Sequence, residues 1–448
     1  MFLAILWHHH QPLYRHPETG QYLLPYVNYH LTKNYYPMAR LAEEEGFPCI
    51  FNLTPCLLAQ IEDYVSGRAI DPWQEALEKD ADQLTSADIQ RLERFLSPGE
   101  IETQKQRLQQ RVLSLFLPPL PEPASAMAVN QEYLLSQQEE IKNKVIPIYK
   151  KLWFEGKVEL TTSAYYHPLL PLIIDLSVAG EALMPSLPFR YPEDAQRQIQ
   201  KGTSYFERLF GKKPQGFWPS EGGISSAVAQ MVAEAGYTYA ITDENILWKS
   251  LKRPPDLALI GRPYACHRLV IFFRDRELSD LLSFEYQRWP VEDALRHFQN
   301  KIGERRKIVG DEGIIVLALD GENPWAGYEK NGIPFLRRFY ACLLETEGVN
   351  PVLLNDYVQN RPVSEEIEVV PGTWLGNFSR WIGHPAKNAA WEKLSRVRQE
   401  SGVSEALLAA EGSDWFWWLG DAGVDELTEL FAAFLAQAAK KPTRGLVS

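Results

Sequence analysis

The chain has 448 residues, 45% of them hydrophobic and 23% charged, which fits a globular enzyme built as one large barrel with insertions or as two to three domains. A net charge of -12 excludes a nucleic-acid backbone as the main partner, because phosphate binding needs a surplus of Lys and Arg, and it suits a neutral ligand. The 13 Trp and 20 Tyr stand out: each buried indole N–H wants a partner, whereas flat aromatic faces in a cleft stack on sugar rings.

The opening MFLAILWHHHQP has no basic residues before its apolar run and no small-residue cleavage site, so it reads as a buried strand rather than a signal peptide. No run approaches the roughly 18 apolar residues of a membrane span, so no membrane partner is expected. Cys49, Cys56, Cys266 and Cys342 lack any CxxC pairing and read as free thiols of a reducing compartment, which places the protein in the cytoplasm.

Residues 2–7 form the first predicted strand, and it ends at His8-His9-His10-Gln11-Pro12. Alternation along a strand sends residues 8 and 10 to one side and 9 to the other, so His8 and His10 are expected to face a common site. They can hydrogen-bond hydroxyl groups or hold a metal. Metal is the weaker option, because no acids stand nearby in ligand spacing. A second strand is predicted at 49–53. Residues 57–150 are charged, Gln-rich and helical in period, with a Pro-rich interruption at 117–123.

Strands follow at 158–162, 216–218 and 238–242, separated by helical patterns. One helix opens at Pro192-Glu193-Asp194 and stops at Gly211; another runs from 224 to 235 and stops at Gly236. Tyr165-Tyr166-His167-Pro168, just past one strand, is a candidate cleft wall. In GFWPSEGGIS, 216–225, Glu221 stands at a strand's carboxyl end, where β/α barrels carry their chemistry. A Glu favoured by the dipole of the next helix fits the same spacing equally well.

FFRDRELSD, 272–280, reads as a polar run, with Asp275 and Asp280 solvated or paired with Arg274 and Arg276. The apolar run IIVLAL, 314–319, delivers Asp320 to a strand end beside Trp325, where desolvation should raise its pKa toward that of a general acid. Two strand-end carboxylates are the minimum set for glycoside hydrolysis. Trp374 and Trp381 lie in PGTWLGNFSRWIGHP, and Trp417 in a Trp-rich patch at 414–420. The end of the chain is mostly helical, with KKPTRGLVS as a frayed tail. There is no P-loop, no GxGxxG after a strand and no GxSxG elbow.

These motifs, in this order, resemble those of glycoside hydrolase family 57, especially its amylopullulanase-like and α-amylase-like members. His8 to Pro12 resembles the opening motif, Gly156 to Pro168 the second, Trp218-Pro219-Ser220-Glu221 the third and Leu319 to Trp325 the fourth. Trp374 to Trp391 is similar to the fifth, and Ser413 to Trp418 to a Trp-rich stretch of these relatives. After Trp418 the sequence LGDAGVDEL departs from the more acidic and polar residues that relatives often carry there.

The resemblance implies an α/β fold, an incomplete seven-stranded β/α barrel. On that basis residues 1–56 and 151–365 form the catalytic barrel, 57–150 a helical insertion and 366–448 a helical region contributing to the cleft. It further implies a retaining hydrolase of α-1,4 glucosidic bonds, with α-1,6 bonds left open as a second substrate, and with Glu221 as nucleophile and Asp320 as acid/base. His8, His10 and His167 would hold the sugar; Trp218, Trp325, Trp374, Trp381 and Trp417 would form stacking subsites. The expected partner is an α-glucan or malto-oligosaccharide, with no metal or cofactor required. Alternatives are a 4-α-glucanotransferase or branching enzyme, a metal-dependent deacetylase-like enzyme, and a non-catalytic glucan-binding protein. The sequence carries no signal for an oligomeric state.

Overall fold

The computed structural model describes residues 1–97, 102, 104–118, 130–361, 363 and 365–440. Seven parallel strands make a nearly closed barrel in the spatial order β3-β2-β1-β8-β7-β5-β4. They are β1 (Phe2–His9), β2 (Ile50–Leu53), β3 (Glu159–Thr161), β4 (Gly216–Phe217), β5 (Tyr239–Asp243), β7 (Leu269–Arg274) and β8 (Ile314–Asp320). The short β6 (Tyr264–Cys266) pairs antiparallel with β7, and β9 (Asn350–Pro351) pairs with β1. The two ends of the order, β3 and β4, meet only through a bridge between Thr162 and Phe217, so the barrel stays incomplete. Six of the seven strands fall within two residues of their sequence positions. The exception is β7: the residues read as a polar run begin inside a buried strand.

Side-chain alternation divides the apolar residues into two sets. Ala4, Leu6, Ile50, Ile241, Phe272, Ile314, Val316 and Ala318 fill the barrel interior. Leu3, Ile5, Trp7, Phe51, Ile315, Leu317 and Leu319 point outward into the helical sheath, where they join the largest core cluster. Because the period is two, the next inward positions beyond the interior set are His8, Asn52, Asp243, Arg274 and Asp320. These five polar residues form the barrel's mouth. The register sets His8 beside both Asp320 and Asn52, and Asp243 beside Arg274.

Between β2 and β3 run helices Pro55–Val65, Pro72–Glu78, Ser86–Glu93, Lys105–Leu115 and Gln131–Phe154. Leu77, Leu92, Leu108, Val112 and Leu134 of this region form an apolar cluster of their own. The Pro-rich interruption beyond residue 118 and the tail beyond residue 440 lie outside the described residues. Helix Pro192–Phe210 starts and stops as its caps require, with Gly211 left-handed at φ 87. After β9 the chain forms helices Pro385–Ser401, Glu405–Ala410, Ser413–Trp418 and Asp425–Ala439. Among the described residues no helix is long and apolar enough to cross a membrane.

Gly216 leaves room for a polar pair inside the barrel. A Cβ there would stand 2.3 Å from the Tyr239 ring and 2.6 Å from Thr161 Cγ2. The Tyr239 hydroxyl donates to Glu159 Oε1 at 2.8 Å. Gly216→Ala is expected to displace that ring and lower stability by about 1–3 kcal/mol, measured by urea unfolding. An unchanged midpoint would show that the ring has room to yield.

Candidate active site

The barrel's mouth opens into a cavity of about 720 Å³, and both strand-end carboxylates face it. Asp320 is the last residue of β8. Glu221 follows β4 on a sharp turn and adopts the left-handed region itself, at φ 58 and ψ 24. For a residue with a Cβ that conformation costs about 1–3 kcal/mol and persists only where neighbours enforce it. Here they do: Trp374 N–H donates to Glu221 O at 3.0 Å, and Ile224 bridges antiparallel to Gly372. Burial pushes the Glu221 carboxyl up to about 8, helped by the charges of Asp414 and Asp320 and opposed by His10 and a hydrogen bond from Ser413. Burial also raises Asp320, to about 6, while Arg274 and His10 hold it down.

Three histidines stack along one wall. The ring of His167 lies 3.8 Å from that of His10 and 5.1 Å from that of His8. His8 Nδ1 bonds Asn52 Oδ1 at 2.7 Å. Burial and the neighbouring His10 lower its pKa to about 3, so it is neutral. His167 is pushed well below the ordinary value by burial and by the other two rings. His10 is the cation of the set. Burial would lower it, but Asp414 and Cys56 outweigh burial and carry it well above the usual range. Its Nε2 sits 3.0 Å from both Asp414 oxygens, and Nδ1 is 3.0 Å from Thr54 Oγ1. His9 faces away, packed against Tyr35 and Phe51.

His10, His167 and Asp414 bring three potential ligand atoms within 4.8 Å of one another. The ring geometry does not fit one ion shared by all three. A metal lies in the plane of each imidazole that binds it, and these two planes are stacked face to face at 22°. The acid missing from the sequence neighbourhood of the histidines is supplied from 404 residues away.

Of the ten residues expected at the site, His8, His10, His167, Glu221, Asp320, Trp374 and Trp417 line the cavity. Trp218, Trp325 and Trp381 do not. All three are fully buried and act as packing. Trp218 lies behind His8, Trp325 against Trp7, and Trp381 behind Trp417. Their indole N–H groups have no partner among the described residues, so the expectation that Trp would avoid plain core burial fails here. The cavity's exposed apolar rim is instead Tyr26, Phe284, Leu375 and Trp418.

The charged run 272–280 also departs from its reading. Arg274 is buried; its Nε donates to Asp243 Oδ2 at 2.8 Å, its Nη1 to Ala318 O at 2.9 Å, and it lines the cavity. Arg276 pairs with Asp243 as well. Asp275 is fully buried against Arg305 at 2.6 Å rather than against either expected arginine. Asp280 does approach Arg274, at 3.6 Å. Glu322 is another buried acid of the mouth. Its Oε1 accepts from His10 N–H and the Tyr35 hydroxyl, and burial raises it well above its ordinary value. Sequence reasoning passed over Asp414, Arg274 and Glu322. The one available signal was the apolar run LVIFF before Arg274.

The protein is thus an incomplete β/α barrel whose mouth gathers two buried acids, stacked histidines and rim aromatics around one cavity. The chain belongs to glycosyl hydrolase family 57, whose model matches residues 4–371. Alpha-amylase 1 of Dictyoglomus thermophilum is 28% identical over 89 residues, which span 20% of this chain and a tenth of that enzyme's length. A family 57 branching enzyme from Thermococcus kodakaraensis superposes at TM-score 0.68 with 18% identity, over 98% of this chain and 89% of that one. The α-amylase AmyC from Thermotoga maritima gives 0.65 at 17%, over 97% and 92%. At these identities the likeness is one of fold.

Glu221 is held in its protonated form across a wide pH range, and this links the site to stability. Its folded value of about 8 lies above the ordinary 4.5, so the unfolded chain ionises first. The native state is therefore relatively weakened as pH rises from about 4.5 to about 8. Glu221→Gln cannot ionise and escapes this loss. It is expected to match the wild type near pH 4 and to exceed it increasingly up to pH 8, in thermal melts across that range. Parallel curves would contradict the burial argument.

Proposed function

We propose that the protein is a retaining α-glucan hydrolase that cleaves α-1,4-glucosidic bonds, with Glu221 as nucleophile and Asp320 as general acid/base. The observation that carries this reading is the pair of buried carboxylates facing one cavity, with a histidine wall and an aromatic rim of the kind that stacks on pyranose rings. Family membership supports the glycosidase chemistry. The names of the neighbouring folds, a branching enzyme and an α-amylase, support an α-glucan as substrate. Asp320 protonates the glycosidic oxygen while Glu221 attacks the anomeric carbon. Asp320 then takes a proton from water as that water releases the sugar from Glu221. His8 and His167 offer their remaining Nε2 atoms to the sugar at the cleavage point, while His10, whose two ring nitrogens are taken by Thr54 and Asp414, supplies charge to the same wall. Four free thiols fit action in the reducing cytoplasm.

One observation favours a second reading, in which the two acids exchange roles. In the empty cleft the proton is held more tightly by Glu221, at about 8, than by Asp320, at about 6. The likeness of the WPSE segment to the family's nucleophile motif favours the first assignment. Labelling with a 5-fluoro-glucosyl fluoride, followed by peptide mass spectrometry, decides between them. Label on Glu221 supports the proposal, and label on Asp320 reverses it.

Glu221→Gln is expected to leave less than a tenth of the wild-type rate on maltoheptaose with the fold intact. Asp320→Asn is expected to be slow on oligosaccharides and rescued by substrates with good leaving groups; absence of rescue would sink its acid role. The pH–rate curve should be a bell with limbs near 6 and 8, values that belong to the coupled pair rather than to either residue. Proton NMR of reactions with maltoheptaose, amylose and pullulan should show new reducing ends in the α configuration. Redistributed chain lengths without new reducing ends would make the protein a transferase. Cleavage of pullulan would extend the activity to α-1,6 bonds.

A further inference from the structure

The strained turn at Glu221 and its clamp by Trp374 fix the main chain but leave the carboxylate free to rotate. What holds the carboxylate comes from the far end of the sequence. Ser413 Oγ lies 3.2 Å from Glu221 Oε1 and 3.1 Å from His167 Nδ1. In the ionised form that attacks, the Glu221 carboxylate only accepts, so there Ser413 donates to it. Ser413 then accepts from His167, whose proton is assigned to Nδ1. The opposite tautomer would turn the hydroxyl proton toward His167 and strip Glu221 of this donor.

The position of Ser413 is itself enforced. Its N–H donates to His167 O at 3.0 Å, and Gly412 bridges antiparallel to Pro168. Gly412 permits this approach because a Cβ there would come within 2.9 Å of Tyr166 O. Trp415 Nε1 anchors the next turn to Ala409 O at 2.7 Å. Gln198 then ties the two strands of this contact together. Its side-chain amide donates to Leu408 O and Glu411 Oε2, while its Oε1 accepts from Tyr166 N–H. One residue of helix Pro192–Phe210 thus clasps both the histidine-bearing loop and the serine-bearing turn.

We propose that Ser413 is a positioning residue for Glu221, aiming one carboxylate oxygen by hydrogen bonding and leaving the other free to attack, and that residues 412–414 complete the active site. This rests on the reading of Glu221 as nucleophile. The same turn contributes Asp414, which holds His10 as the wall's cation. Both roles come from a region that sequence reading linked to the cleft only through its tryptophans.

The test is kinetic, on the full chain with maltoheptaose. Ser413→Ala should lower kcat about 10- to 100-fold, the loss of one hydrogen bond to a charged group, with KM within about threefold. The limb of its pH–rate curve near 8, where Glu221 ionises, should move to higher pH, because the donor that favours ionised Glu221 is gone. Ser413→Thr keeps the hydroxyl and should recover most of kcat. Should Ser413→Ala fail to fold, Ser413→Cys, close in shape but a weak donor, carries the same expectation. Wild-type kcat and an unmoved limb in these variants, with Glu221→Gln inactive, would overturn the positioning role and leave the functional reading standing. A wild-type protein inert toward every α-glucan would overturn both.

Discussion

Strand β1 enters the barrel beside β8 in a register that sets Leu6 against Ala318 and, two residues on, His8 against Asp320. A shift by one residue would turn His8 outward among the sheath helices and bring His9, which packs against Tyr35 and Phe51, into the mouth. The apolar interior from Ala4 to Ala318 enforces the register, since slipping it would exchange buried Leu and Val for the outward set. The chemistry at the mouth is therefore fixed by packing well below it. Gly321 shows how closely the outer side is fitted: a Cβ there would meet the His9 ring at 2.2 Å.

Charge at the mouth is arranged as a chain of compensations. Asp243 is shared by Arg274 and Arg276, Asp280 also approaches Arg274, and Asp414 pairs with His10. What remains near the reacting position is Glu221 and Asp320, raised by burial, with His10 restraining both and Arg274 restraining Asp320. Isolated buried charges would shift their pKa or be expelled. Paired ones can stay, and they give the two acids separate environments. Separated environments allow one carboxyl to be charged while the other carries a proton.

The barrel was legible because most of its strands are apolar runs ending in chemistry-bearing residues, as in IIVLAL before Asp320. Strand β7 was obscured because LVIFF leads into four charges among the next four residues, and charged runs are usually solvated. Arg274 and Asp275 are buried and Arg276 half-buried because their partners, Asp243 and Arg305, arrive from other elements, and Glu277 alone stays exposed. Seven of the expected site residues line the cavity, since strand-end position is written in local sequence. The three misplaced tryptophans show the opposite limit. Trp218 and Trp325 adjoin the catalytic motifs, yet each turns its ring to the side that packing fills, and sequence adjacency does not give side-chain direction. Asp414 was invisible for a plainer reason, because no local pattern links it to His10.

The pairing of β1 with β8 also sets the order in which the molecule can be made. His10 N–H meets Glu322 across 312 residues of chain. At about 5–20 residues per second, the first strand leaves the ribosome roughly 15–60 s before its neighbour exists. Through that interval its apolar faces have β2 and the helices that follow as available cover, but not the strand that completes its other edge. The barrel therefore closes only after β8, which ends at residue 320 of 448, has been made, and Asp414 reaches His10 later still. A nascent chain can hold six of the seven strands, but it cannot hold the completed mouth.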